Sequence, residues 1–189
     1  PILQPDAFAV PGGLNIRWPD TALAQEERLY QKRLPAALAY VRANSINRVT
    51  WDSPHARVGI VASGKGYLDT VEALRILGLE GAPAQRLGLR LYQVGMIWPL
   101  EPHGIRNFAH GLQELIVVEE LDPFLETHLK AMGIACRGKE LIPAQGELNS
   151  FIVRKAVEPE SIGEIFAPLE LPMRPPNMCA GCPHRGLFY

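Results

Sequence analysis

Apolar residues alternate with polar ones along this chain in blocks that change period, and the changes mark the elements. From Asp20 or Thr21 to about Asn44, Leu23, Leu29, Leu34, Leu38 and Val41 recur at helical intervals, with Glu26, Glu27, Lys32, Arg33 and Arg42 between them. Pro35 falls inside this pattern, which predicts a kink or two helices, with Asp20 or Thr21 as the cap. A continuous apolar run at Arg57–Ala62 then predicts a buried strand, Ser63-Gly64-Lys65-Gly66 a tight turn, and Tyr67–Leu77 a helix closed by Gly78. Leu89–Val94 reads as the next strand and Pro102–His110 as a helix with Pro102 in its first turn and Gly111 after its end. Leu115–Glu120 is a third strand, Asp122-Pro123 a cap with proline behind it, and the helix that follows runs to about Met132. Gly133–Cys136 is expected as a short fourth strand.

Strand and helix in regular alternation predict an α/β fold. It takes the form of three layers, α/β/α, around an open, mainly parallel sheet covered on both faces. The length of 189 residues and a content of 47% hydrophobic and 21% charged residues suit one globular unit with appendages. Prolines 1, 5, 11 and 19 at one end and 159, 168, 172, 175 and 176 at the other frame that unit with connectors. The expected organisation is therefore a linker and helical lead-in over 1–50, the α/β domain over 51–155, a proline-rich linker over 156–177, and the start of a further, truncated domain over 178–189.

Charge narrows the function classes. Nineteen basic residues against twenty acidic ones give a net charge of −1, which argues against nucleic-acid partners and membrane surfaces. No run approaches 18 consecutive apolar residues, and the first residues carry neither a basic nor a long apolar segment of the export type. Cys136, Cys179 and Cys182 make no even disulfide framework, and a Cys-x-x-Cys pair suits a reducing compartment, so the cytoplasm is the expected location.

Four features hold candidate chemistry. Gly59–Gly66 nearly spells a phosphate-binding loop, but Gly66 stands where a magnesium-binding hydroxyl belongs; Lys65 remains a weak candidate point charge for an anion. Glu119 and Glu120 end a strand and point to opposite faces, so they do not share a proton, and an exposed edge or a contact with a neighbouring domain is the expected role. His103, His110 and His128 have no common spacing and suit surface or capping positions, and Cys136 suits a small core position. Cys179 and Cys182 can face one metal, with His184 as a third ligand, but no second Cys-x-x-Cys completes a four-ligand site.

The segment Arg174-Pro175-Pro176 followed by Cys179-Ala180-Gly181-Cys182-Pro183-His184-Arg185 resembles the opening of the thiamine-diphosphate-binding domain of indolepyruvate ferredoxin oxidoreductases, within the 2-oxoacid:ferredoxin oxidoreductase family. Val58–Gly66, Gly95–Leu100, Val117–Glu120 and Gly146-Glu147-Leu148-Asn149 resemble that family's middle domain in the same order. The resemblance implies a domain similar to the transketolase carboxyl-terminal domain, set between missing pyrimidine-binding and diphosphate-binding domains.

It further implies a parent that decarboxylates an aromatic 2-oxoacid oxidatively with thiamine diphosphate and Mg2+. Electrons would pass through 4Fe-4S clusters to ferredoxin while coenzyme A takes the acyl group. By the same resemblance Cys179 and Cys182 supply half of a cluster site and His184 stands near the thiamine cofactor. The resemblance implies that this piece has no catalytic residue of its own, holds no cofactor and is inactive in isolation, and that the parent is a homodimer or larger. Two alternatives stand beside this reading: a domain of another thiamine enzyme of the transketolase or 2-oxoacid dehydrogenase β type, and a free-standing anion-binding module using Lys65.

Overall fold

The computed structural model of the chain describes residues 1–157. Its centre is a four-stranded sheet built from β1 (Arg48–Trp51), β2 (Val58–Ser63), β3 (Leu89–Val94) and β4 (Glu114–Val118), in the order β1-β3-β2-β4. β2 runs parallel to both β3 and β4, with Ile60 opposite Leu91 on one side and Ile116 on the other. β1 is antiparallel to β3.

The period of two in these strands sorts the core into two faces. Ile60, Ala62, Leu89, Leu91, Ile116 and Val118 pack on one side, against Ala73, Leu74, Ala84, Ile142, Leu148 and Val153. These partners come from α3 (Gly64–Ile76), α4 (Ala82–Leu87), the segment after residue 138, and α7 (Ser150–Val157). Val61, Tyr92, Val94, Leu115 and Val117 pack on the other side, against Ile105, Phe108, Leu125 and Leu129 of α5 (Pro102–Ala109) and α6 (Phe124–Ala131). The fold is thus the three-layer α/β/α arrangement with a mainly parallel sheet that the pattern predicts.

Several local expectations are corrected. Gly133–Cys136 forms no strand: Arg137 alone bridges to Ile116, and Cys136 is half-buried beside the Glu126 carbonyl. β1, α4 and α7 lie where no element was expected. Ser63–Gly66 is not a separate turn, because α3 begins at Gly64 directly after β2, so no loop is left there to wrap a phosphate. α6 begins one residue after Pro123, and the Asp122 side chain does not cap it.

The lead-in is helical from Ala22 to Ala43, as α1 (Ala22–Arg28), a π-helical turn (Leu29–Arg33) and α2 (Leu34–Ala43). Thr21 caps it by accepting from the Ala24 N–H at 3.3 Å. Pro35 has no N–H to donate, and the chain absorbs this by widening to the π register just before it, where the Leu34 N–H reaches the Leu29 carbonyl. The lead-in is thus two α-helices joined by a π turn, the second of the two forms expected. The lead-in is tied to the sheet by Asn47, whose Oδ1 accepts from the Gly95 and Met96 N–H groups and whose Nδ2 donates to the Met96 carbonyl. Gly95 has to be glycine here, since a Cβ would lie 2.6 Å from the Ile46 carbonyl oxygen.

Candidate functional site at the carboxyl ends of the parallel strands

In an open α/β sheet the loops that leave the carboxyl ends of the strands form the face available to ligands and partners. Four of the sequence motifs singled out above occupy that edge: Ser63–Gly66 after β2, Gly95–Leu100 after β3, Glu119-Glu120 after β4, and Gly146–Asn149, which returns to the same place before α7.

The structure brings three of the four into direct contact. Lys65 Nζ donates to the Asp69 carboxylate at 2.8 Å and to the Leu148 carbonyl oxygen. Glu120 Oε1 accepts from the Leu148 N–H at 2.9 Å. Leu148 is buried and lies against Gly66, where a Cβ would stand 3.3 Å from the Val118 carbonyl oxygen and 3.5 Å from the Leu148 side chain. Asn149 then caps α7, its Oδ1 accepting from the Phe151 and Ile152 N–H groups at 3.1 Å each. The hydrogen bond to Asp69 holds the Lys65 ammonium above its ordinary range, so it carries a full charge that a neighbouring carboxylate already balances.

Glu119 and Glu120 point to opposite sides, as their alternation requires, but Glu119 is no exposed edge. It is 7% exposed, and its two carboxylate oxygens accept from the Leu125 and Glu126 N–H groups at 2.7 and 3.0 Å. The residue just after β4 therefore does the capping for α6 that Asp122 was expected to do, because Pro123 occupies the cap position with no side-chain acceptor of its own. Glu101 does the same for α5 from its own N-terminus, accepting from the His103 and Gly104 N–H groups at 3.1 and 2.7 Å and from Arg42 at 2.9 Å.

Burial pushes the Glu101 carboxyl up, yet the two amides and the Arg42 guanidinium outweigh it and hold the group below its ordinary value. Burial, with the Glu101 charge beside it, pushes the Tyr92 hydroxyl up to about 12. Glu126 is also held low: burial raises it, while Lys130 and the Lys139 N–H lower it by more.

The remaining candidates are quiet. His103 and His110 are exposed at the ends of α5, and His128 lies on α6 with its ring 4.4 Å from that of Phe124 and Nδ1 2.8 Å from the Phe124 carbonyl oxygen. Cys179, Cys182 and His184 lie outside the described residues. Among the described residues no three His, Cys, Asp or Glu side chains gather as a metal site. Two open clefts of about 250 and 420 Å³ flank α1, lined in part by Ile16 and Tyr30 and by Asp20 and Lys32, and they include no strand-end residue.

Beside its charged groups the edge also exposes large apolar side chains. Ile97 and Trp98 after β3, and Leu121 and Phe124 after β4, are 40–63% exposed. Leu121 adopts φ +58, a left-handed conformation that costs a branched side chain about 1 kcal/mol or more. Sequence reasoning missed this rim; its signal was the cluster of large apolar residues beside Gly95 and Pro123, in loops where polar residues are the rule.

A model of the indolepyruvate oxidoreductase domain matches residues 48–168, more than half of the chain and beginning at the first residue of β1. The chain belongs to this family. Its relatives include the IorA subunit of indolepyruvate oxidoreductase from Methanothermobacter thermautotrophicus, 31% identical over 184 residues. That match takes in 90% of this chain and 28% of the relative. The corresponding subunit from Archaeoglobus fulgidus is 33% identical over 165 residues, 79% of this chain and 25% of the relative. The chain thus spans only about a quarter of the length of these relatives.

A solved structure of the 2-oxoglutarate:ferredoxin oxidoreductase from Magnetococcus marinus, with 2-oxoglutarate, coenzyme A and succinyl-CoA bound, resembles it with a TM-score of 0.54. The identity is 18%, and the match covers 74% of this chain and 24% of that one, which is a likeness of fold. The family expected from the motifs and the family matched are the same. Among the described residues no helix is long and apolar enough to cross a membrane.

Proposed function

We propose that this chain is the interdomain α/β portion of a thiamine-diphosphate-dependent 2-oxoacid:ferredoxin oxidoreductase acting on indolepyruvate or another arylpyruvate. In this reading it contributes packing surfaces and leaves the chemistry to other domains. Family membership and the short share of each relative support the placement. The observation that carries the role is the state of the strand-end charges. Lys65, Glu119 and Glu120 each hold internal partners, and the same edge exposes four large apolar side chains, Ile97, Trp98, Leu121 and Phe124. Such a rim suits contact with another protein surface rather than turnover of a charged small molecule.

The same reading assigns thiamine diphosphate, magnesium, 4Fe-4S clusters and coenzyme A to the parent. Cys179 and Cys182 would be part of a cluster site completed elsewhere, and His184 would lie near the thiamine cofactor. Ferredoxin as acceptor, a cytoplasmic setting and a dimeric parent belong to the same proposal.

Two measurements test it. The 189-residue chain, given indolepyruvate, coenzyme A and ferredoxin or a dye, should show no turnover; turnover would refute the division of labour. Iron, sulfide and zinc analysis without oxygen should find iron and sulfide in a chain extended downstream and none in the 189-residue chain. Stoichiometric zinc in the short chain would instead indicate a self-contained metal module and would remove Cys179 and Cys182 from the cluster.

A further inference from the structure

The segment between Arg137 and α7 crosses the carboxyl edge of the sheet, and its attachments are unevenly distributed. It is fixed at its start by backbone bonds from Leu141 and Ile142 to the Gly138 carbonyl and by burial of Ile142. Residues 143–147 are exposed, and among the described residues they make no backbone hydrogen bond. The chain is caught again only at Leu148. There both backbone groups of one residue are held by side chains from two different strand ends, the carbonyl by Lys65 in the first turn of α3 and the N–H by Glu120 after β4. The Leu148 side chain fills the space left by Gly66. Asn149 then starts α7, which packs on α3 through Val153 and, at its margins, Ile152, Ala156 and Val157.

We propose that Lys65 and Glu120 form a two-jawed latch on Leu148, and that the latch and α7 open together as one unit while the sheet stays closed.

Three observations make this a local device rather than part of the general core. Both jaws are exposed side chains, so water can replace them as they let go. The described turns of α7 carry one fully buried side chain, Val153, and hold their place by docking on the α3 face. The exposed residues 143–147, which make no backbone hydrogen bond among the described residues, supply with Gly146 at φ +84 the slack needed for the strap to lift. The inference does not depend on the proposed parent reaction; it concerns this chain alone and survives if that reading fails.

Native-state hydrogen exchange on the 189-residue chain tests it. In the unmodified chain the amides of Leu148, Phe151, Ile152 and Val153 should share one opening, easier than that of Ile60, Val61, Leu91 and Val117. Lys65→Met, which keeps the aliphatic stem, and Glu120→Ala should each speed exchange at those four strap and helix amides by about tenfold, the loss of one hydrogen bond to a charged group. Protection of the four sheet amides should stay as it was. Exchange of Leu148 and α7 together with the sheet in the unmodified chain would overturn the proposal, as would unchanged strap exchange in either variant. If a variant fails to fold, the exchange pattern of the unmodified chain decides the matter.

Discussion

The two faces of this sheet are equally apolar in the middle and are fastened by opposite means at their rims. On the α5/α6 face the polar work is done by carboxylates that are themselves buried: Glu101 holds two amides of α5, Glu119 two amides of α6, and Glu126 the Lys139 amide. On the α3/α7 face the one buried polar side chain on a helix is Thr70, bonded to the Gly66 carbonyl of its own helix, and the charged groups that hold Leu148 are exposed. A buried carboxylate with amide partners cannot leave without stranding them away from water, whereas an exposed jaw exchanges its partner for water at little cost. One face is therefore built to stay shut and the other is built to open.

The contrast is broken most severely at Glu119. Replacing it with alanine leaves the Leu125 and Glu126 N–H groups buried with no acceptor, and stability should fall by about 2–3 kcal/mol in urea denaturation. A loss no larger than that of a surface substitution would mean that α6 finds another cap and that the two faces do not differ in kind. Next comes Leu148→Ala, which removes the packed side chain rather than the charges around it. Because Leu148 sits at the rim, where the strap can collapse inward, the loss should lie near the low end for such changes, about 2 kcal/mol, with faster exchange in α7.

Much of this contrast was legible in the sequence and part of it was not. That the sheet is covered on both faces could be read because Ile60, Val61, Leu91 and Val117 lie in continuous apolar runs that alternate with helical patterns. The family could be read because its motifs fall in order. β1 escaped because Arg48-Val49-Thr50-Trp51 is short, half-exposed and carries a charge, as edge strands do, so it offers little apolar pattern. The fourth strand was overpredicted because Gly133–Cys136 is apolar enough for one but follows α6 too closely to extend beyond a single bridge.

At the site, the sequence placed Lys65 beyond the end of one strand and Glu119 and Glu120 at the end of another, without bringing them together, and missed what they hold. Their partners, Leu148 and the first amides of α6, are backbone groups, and no residue type advertises a backbone N–H or carbonyl.

Glu101→Gln should have a smaller effect at neutral pH, about 1 kcal/mol, because the amide can still accept from one N–H group. Its effect depends on pH. A carboxyl held below its ordinary value in the folded chain contributes stability that is present above that ordinary value, 4.5, and lost as pH falls through the lower folded value. Glu126 is depressed in the same direction. The unmodified chain should therefore lose stability steeply as pH drops below about 4.5, and Glu101→Gln should make that loss shallower in denaturation midpoints measured from pH 7 downward. An unchanged slope would assign the acid sensitivity to Glu126 or to other carboxylates.

The smallest effect is expected at Asp69, and it sharpens the comparison from the exposed side. Lys65 and Asp69 are an i,i+4 pair with an exposed ammonium, a type of contact that contributes little to stability. Asp69→Asn should leave the denaturation midpoint where it was. It should also leave exchange at Leu148 no faster, because Lys65 keeps the Leu148 carbonyl when its other partner loses charge. Faster exchange there, matching that of Lys65→Met, would mean that Asp69 aims the lysine at the strap. The α3/α7 face would then be fastened by a chain of three side chains, Asp69, Lys65 and Glu120, rather than by two independent jaws.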